Sequence, residues 1–488
     1  MDKTLQKALY VILISLGLAF IFNFLFFSKM LGISVFIFAV ILLGVLYFFG
    51  RKELPLKNAW WLGLFFLFFM LMPAVRANNF LNFLNIVASL GLLVLLALEL
   101  TGTPAFLLKI RDYIILAILT PLRMLGRAFF TFGQIGQLHS SVKNRDIWIR
   151  VLKGFIMAVP ILIVFGILFS QADLAFSRFI NSFVHITISE RTAQYGVLLF
   201  VAFVSSLGFL SFIFLPKEAK PTLVPEQANT AVQSGKGIEV LVFLGLIGAL
   251  FLVFIVFQIT YLFGGESNII NAGFTYAEYA RRGFWELLAV TILSLLVLLA
   301  SEKYDNFELK RDKKFLIPAL ILIAEVFVVM VSAFKRLSLY IDAYSLTDMR
   351  FYVAAFIILL FVLFILLAIK FIKAKPEHFF TFGTLLSVLA FLVAINLLNP
   401  DSFIAKSNLK QYTQTGKIDT VYVRYLSADA EKEKIELYYK LPEAEKESYG
   451  RALVAERIAL GLQSSDWQSA NFSRTRALKL LEEFAEKK

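Results

Sequence analysis

The strongest constraint in this sequence is a recurrence of apolar runs about 20 residues long, separated by short polar connections. A run of that length matches the hydrocarbon thickness of a bilayer, and in lipid its backbone polar groups must be satisfied within the segment, so it spans as a helix. Eleven runs qualify: 8–27, 31–49, 59–75, 81–100, 149–170, 195–215, 238–262, 284–300, 315–334, 351–373 and 379–398. Composition agrees. Charged residues make up 17% of the chain, below the quarter or so usual in soluble domains, and Phe alone occurs 53 times. The expected fold class is all-α: a polytopic transmembrane helical bundle of about eleven spans with a small C-terminal soluble helical domain.

Between the fourth and fifth runs the pattern weakens. In 101–148 the apolar core 113–122 is short and flanked by Lys109, Arg111, Asp112, Arg123 and Arg127. This predicts an amphipathic segment on the cytoplasmic face, lying on the membrane or re-entering it, with a twelfth span as the competing reading. The resulting plan is a four-span region over 1–100, the amphipathic segment over 101–148, a core of about seven spans over 149–398, and a helical domain over 399–488. Lys3 and Lys7 lead into the first run without a small-residue cleavage site, so an uncleaved first span is expected. Residues 216–237, with Pro216, Pro221, Pro225, Gly235 and Gly237, read as a flexible linker.

Net charge is +13, and the basic residues are spread among short loops. With the amino terminus inside, each inner connection carries at least three Lys or Arg, the last only when Lys370 and Lys373 at the end of the preceding run are counted with Lys375, and no outer one exceeds three. That fits the positive-inside rule and predicts an extracytoplasmic C-terminal domain. The same dispersal argues against nucleic-acid binding. The chain has no cysteine, so disulfides, thiolate metal sites and cysteine nucleophiles are excluded. His139, His185 and His378 are scattered and make no metal-ligand spacing. No Walker A, Gly-x-Ser-x-Gly, His-Glu-x-x-His or Gly-x-Gly-x-x-Gly motif occurs, so no metal, no cofactor and no self-contained ATP-driven pump is expected.

Four polar segments fall on the outer side of this topology: 170–176, 271–285, 339–350 and 399–402. Several of their residues have helix-capping spacing. Thr275 and Glu278 form a capping box, Ser345 and Asp348 repeat the spacing, and Asn399 precedes Pro400 as N-cap before a first-turn proline. Capping leaves others unexplained. Glu278, Arg282 and Glu286 lie on one helical stripe. Tyr276, Tyr279 and Arg282, with Glu286 near lipid depth, face the same side as Asp342, Tyr344 and Arg350. Together they either line an aromatic-rimmed cavity or tie spans together. Glu325 lies mid-span, where a lipid-facing carboxyl costs several kcal/mol, so it should face protein, with Thr291 and Ser294 at matching depth. Ser464, Ser465 and Asp466 are placed to cap the last helix.

The runs Gln171-Ala-Asp-Leu-Ala-Phe176, Gly273-Phe-Thr-Tyr-Ala-Glu-Tyr-Ala-Arg-Arg-Gly-Phe284, Leu339-Tyr-Ile-Asp-Ala-Tyr-Ser-Leu-Thr347 and Asn399-Pro-Asp401 resemble a bacterial multipass membrane family of unknown function, of the DUF4153/DUF4173 type. The resemblance covers about residues 150–430. Ser345 stands where that pattern leads one to expect glycine, and the amino-terminal spans carry no such match. The resemblance implies a bacterial cell membrane and brings no catalytic residues. Three functions remain open at this stage. The first is a transporter-like or ligand-binding protein with its site at the outer face. The second is a membrane enzyme acting on a lipid-linked or envelope substrate. The third is a non-catalytic envelope or signalling protein presenting 399–488 to a partner. A lipid bilayer is the one partner common to all three, and any small-molecule ligand is unknown.

Overall fold

The computed structural model describes residues 3–52, 54–135, 190–215, 236–262, 284–305, 313–463 and 466–487. Within them the chain is helical, with a few 3₁₀ turns and no strand. The membrane region contains α1 (Lys3–Phe26), α2 (Ile33–Gly50), α3 (Leu56–Val75), α4 (Asn79–Leu100), α5 (Ile110–Ile135), α6 (Glu190–Phe214), α7 (Lys236–Leu262), α8 (Phe284–Asp305), α9 (Lys313–Tyr344), α10 (Asp348–Ile372) and α11 (Glu377–Leu398). The C-terminal region contains α12 (Pro400–Thr415), α13 (Thr420–Tyr425), α14 (Glu431–Lys440), α15 (Glu443–Gln463) and α16 (Phe472–Lys487). Pro55 and Pro376 directly precede helices and Pro400 opens one, where a missing N–H and a fixed φ cost nothing.

Nine of the described helices are long and apolar enough to cross a membrane. They correspond to nine of the eleven expected runs. The run 59–75 is a shorter apolar helix, and 149–170 lies outside the described residues, as does most of the linker 216–237. The chain is therefore an all-α polytopic helical protein.

α9 departs from expectation in length. The apolar run 315–334 is only its middle, and the helix continues without a break to Tyr344. At ~1.5 Å per residue its 32 residues extend about 48 Å, well beyond a hydrocarbon core of roughly 30 Å. The helix is therefore longer than the layer it would cross, and the polar segment 339–350 is mostly helix rather than loop.

Two hydrophobic cores fill the membrane region. One joins α1–α6 with α11 around Leu62, Phe66, Phe69, Leu92 and Leu207. The other joins α7–α10 around Phe315, Leu322, Val326, Phe364 and Leu367. α5 packs chiefly against α6 and contributes Leu116 and Ala128 to the first core. Tyr113 Oη donates to Ala105 O at 2.8 Å near its start, and Thr131 Oγ1 donates to Ser211 Oγ at 2.8 Å near its finish. Gly208 of α6 lets the α5 backbone approach at Met124, where a Cβ would collide with the carbonyl.

The interhelical connections sort into two ends. At one end lie the connections after α1, α3, α9 and α11, and the C-terminal helices pack against them. At the other lie those after α2, α4 and α10, where Glu99 Oε2 accepts from Ala105 N and Lys109 approaches Glu377 at 3.8 Å. Near this second end, Lys370 and Glu302 form a buried ion pair at 2.7 Å. The first is called the capped end below, and the second the basic end.

Candidate functional site at the capped end

The floor of the joint between bundle and C-terminal helices is apolar. Leu81, Leu346, Phe351 and Ile395 from the spans meet Ile404, Ala405, Leu426 and Ala430 from the C-terminal region. Above this floor sit polar groups whose partners come from both sides. Asp401, in the first turn of α12, is 1% exposed. It accepts from Asn78 Nδ2 at 2.6 Å and from Ser427 N at 2.9 Å. Asp429 Oδ2 accepts from Ala77 N at 2.7 Å, Asn78 N at 3.0 Å and Ser427 Oγ at 3.1 Å, while its Oδ1 accepts from Ser473 Oγ. The N–H groups of 77 and 78 lie just before α4, at its N-cap and the residue preceding it, and have no helical acceptor, so a carboxylate there also meets the positive end of the helix dipole.

Further contacts fix the same joint. Asn471 Nδ2 donates to Pro73 O and Arg76 O at 2.8 and 2.9 Å. Arg76 Nε donates to Asn396 O at 2.8 Å, satisfying a carbonyl in the last turn of α11. Asn408 brackets Leu346, accepting from its N–H at 2.8 Å and donating to its carbonyl at 2.9 Å. Asp348 N donates to Tyr422 Oη at 2.7 Å. Burial pushes the Asp429 carboxyl above its ordinary value; the Ser473 and Ala77 donors oppose the shift, and Asp401 adds to it. Burial likewise raises the Tyr422 phenol. Among the described residues Tyr352 Oη, Asp348 Oδ1 and Asn399 Oδ1 are buried here without a hydrogen-bond partner. The carboxylates of Asp401 and Asp429 are thus committed to holding the C-terminal helices.

The sequence-derived candidates divide three ways. Thr275, Tyr276, Glu278, Tyr279 and Arg282 lie outside the described residues. Glu286 lies in the first turn of α8, its side chain likewise outside them. Asp342, Tyr344 and Arg350 come together at the capped end, but mainly as closing contacts. Arg350 donates to Tyr344 O at 2.8 Å and to Ser345 O, covering the last carbonyls of α9. Its guanidinium sits 4.1 Å from the Tyr340 ring centroid, and Tyr340 packs edge-on against Tyr344 at 5.2 Å. Asp342 contributes its carbonyl to Gln411 Nε2 at 2.6 Å.

The capping assignments need correction. Ser345 is not an N-cap. It ends α9 in the left-handed region with φ 67°, the conformation glycine adopts without steric cost. The N-cap of α10 is Thr347, and Asp348 is the first helical residue. Asn399 does precede Pro400 as N-cap, but its side chain makes no cap bond. The last helix is capped by Asn471, whose Oδ1 accepts from Arg474 N at 2.9 Å; Asp466 instead precedes the 3₁₀ turn Trp467–Ser469.

The sequence reading missed a polar seam on α4. Asn78, Asn82, Asn85 and Ser89 recur at helical spacing and are all buried. Asn85 and Asn396, both 0% exposed, exchange amide hydrogen bonds at 2.9 and 2.7 Å between α4 and α11. The signal was present: three asparagines on one face of an otherwise apolar run are costly in lipid and call for a partner helix.

Glu325 does face protein. It is 8% exposed and points at α7, with Oε2 3.4 Å from where a Cβ on Gly248 would stand. Oε2 has no hydrogen-bond partner among the described residues. Thr291 and Ser294 are not its partners, because each hydroxyl donates to its own helix, at Leu287 O and Val290 O.

A family model described as a domain of unknown function, DUF4153, matches residues 63–437. The chain belongs to the DUF4153 family. The match begins earlier than the 150–430 expected from the polar segments, taking in most of α3 and all of α4. The DUF4153 region therefore contains the asparagine seam, Glu325, Asp401 and Asp429, while α15 and α16 lie beyond it. No curated protein and no solved structure matches the chain.

Proposed function

We propose that this DUF4153 protein is a transporter-like or ligand-binding membrane protein, with Glu325 as its central protonatable group. The observation that carries the reading is the Glu325 carboxyl. It is buried among spans, faces Gly248 of α7, and has an oxygen without a partner in the described structure. A carboxyl with only a structural task at that depth is expected to be hydrogen-bonded to a neighbouring helix. The proposed ligand route opens at the capped end, where 271–286 and 339–350 would flank it.

The capped end is assigned to the extracytoplasmic side of a bacterial inner membrane, with the amino terminus in the cytoplasm. Arg51, Lys52, Lys109, Arg111, Lys373 and Lys375 all lie at the opposite end, which supports this orientation. A second reading also has a specific observation behind it. The C-terminal helices are held at the connections after α1, α3, α9 and α11, which suits a fixed platform for an envelope partner.

The test is Glu325→Gln in a strain lacking the gene, with thermal-shift screening of the purified protein against small polar solutes at pH 5 and pH 8. The expected result is a folded variant that fails to complement and loses any pH-dependent ligand shift. Full complementation with unchanged shifts would reduce Glu325 to a packing residue.

A further inference from the structure

We propose that a surface shared by the α1–α2 connection and the start of α16 is a lipid-interface seat, which holds the C-terminal helices down on the membrane. The surface is contiguous. Trp467 is 53% exposed, and its ring lies 6.2 Å from that of Phe24, an exposed residue in the last turn of α1. Met30 and Leu31, also exposed, follow in the connection, and Met30 N donates to Ser469 Oγ at 3.0 Å. Phe472, 66% exposed, opens α16 two residues before Arg474, which reaches Met30.

Three features identify lipid as the occupant. The patch is fixed in height, because Ile33 N donates to Ala470 O at 2.9 Å, and Gly32 admits the 469–470 backbone where a Cβ would come within 2.5–2.7 Å of it. It therefore sits where α1 leaves and α2 enters the hydrocarbon layer, the level at which Trp and other amphipathic aromatics concentrate. Phe24 faces outward from a span, so the ring packed against it shares its surroundings. Finally, the patch is bordered by one cationic group suited to headgroup phosphates: Arg474 reaches Met30 Sδ at 3.9 Å, while Lys29 is neutralised by Asp466 at 2.7 Å. The seat rests on the membrane reading of α1 and α2 and is independent of Glu325.

The chain has no cysteine, so single nitroxide labels can be placed without background. Trp467→Cys and Phe472→Cys are labelled in the full chain, reconstituted in phosphatidylcholine–phosphatidylglycerol vesicles. Phe24→Cys serves as the lipid reference, and Glu447→Cys on the charged face of α15 as the aqueous one. The expected result is that labels at 467 and 472 collide several-fold more often with oxygen than with a water-soluble nickel chelate, as at 24, with the ratio reversed at 447. Ratios at 467 and 472 matching 447 overturn the proposal, as does a label at either site inaccessible to both reagents, which would mean protein covers the patch. If Trp467→Cys misfolds, the native tryptophan is the probe: quenching of Trp467 fluorescence by lipids brominated near the headgroup is measured as the difference from Trp467→Phe. Quenching supports the seat, and its absence overturns it.

Discussion

Replacing Asp429 by alanine should loosen the joint between spans and C-terminal helices more than any other single truncation there. The carboxylate is the acceptor for Ala77 N, Asn78 N, Ser427 Oγ and Ser473 Oγ. The hydroxyls can turn to other acceptors, but the two backbone N–H groups cannot. Each N–H left without an acceptor costs about 1–3 kcal/mol. The site is only partly buried, so water recovers some of this, and a net loss of about 2–4 kcal/mol follows for opening of the joint. At 1.36 kcal/mol per tenfold, that is a roughly 30- to 1,000-fold faster hydrogen exchange at the 77 and 78 amides. Exchange mass spectrometry of the protein in micelles, on peptides covering 73–82, reads this directly. Exchange at these amides within about threefold of wild type would refute the reasoning. Asp429→Asn keeps an acceptor oxygen and should lose only about 1 kcal/mol. It should also remove a pH dependence. The carboxyl is raised in the folded state, so its ionisation opposes folding: stability is fully present below the unfolded value of about 3.9 and declines as pH rises through the raised folded value. Wild type should therefore lose joint stability across that window, and Asp429→Asn should not.

Other outcomes follow from the same contacts. Asn396→Leu strands the Asn85 amide between α4 and α11 and should lower thermal stability in detergent by about 1–2 kcal/mol; the Asn85→Leu/Asn396→Leu pair should recover most of it, and an additive double mutant would contradict the reciprocal bond. Gly32→Ala forces a methyl against the 469–470 backbone and should cost about 1–3 kcal/mol, read as faster proteolysis within 464–488; unchanged proteolysis would mean the contact is absent in solution.

The spans were legible because hydropathy over 20 residues reflects a local cost that neighbours cannot change. The C-terminal helices were legible from their charge density and apolar spacing. Their docking was not, because its donors and acceptors lie far apart in the chain: Asp429 meets Ala77, and Asn471 meets Pro73. Short polar residues at such points look locally like helix caps. Asn78 is one, since its Oδ1 accepts from Leu81 N at 2.8 Å while its Nδ2 reaches Asp401. The outer turns of α9 read as a connection because hydropathy falls after Phe334, yet helix needs no lipid and continues to Tyr344. For Glu325, cost alone dictated that it face protein. Which helix it would face depended on packing register, and Gly248 carries no signal of its own among the glycines of α7.

The arrangement of ends decides whether the capped face can serve as an outward site, and cysteine labelling in intact cells tests it most directly. Glu447→Cys in α15 and Lys375→Cys in the connection after α10 are both exposed and free of background thiols. A membrane-impermeant maleimide should label position 447 in intact cells and reach 375 only after the membrane is permeabilised. Labelling of 375 in intact cells with protection of 447 would place the capped end, and the C-terminal helices with it, in the cytoplasm and contradict the account.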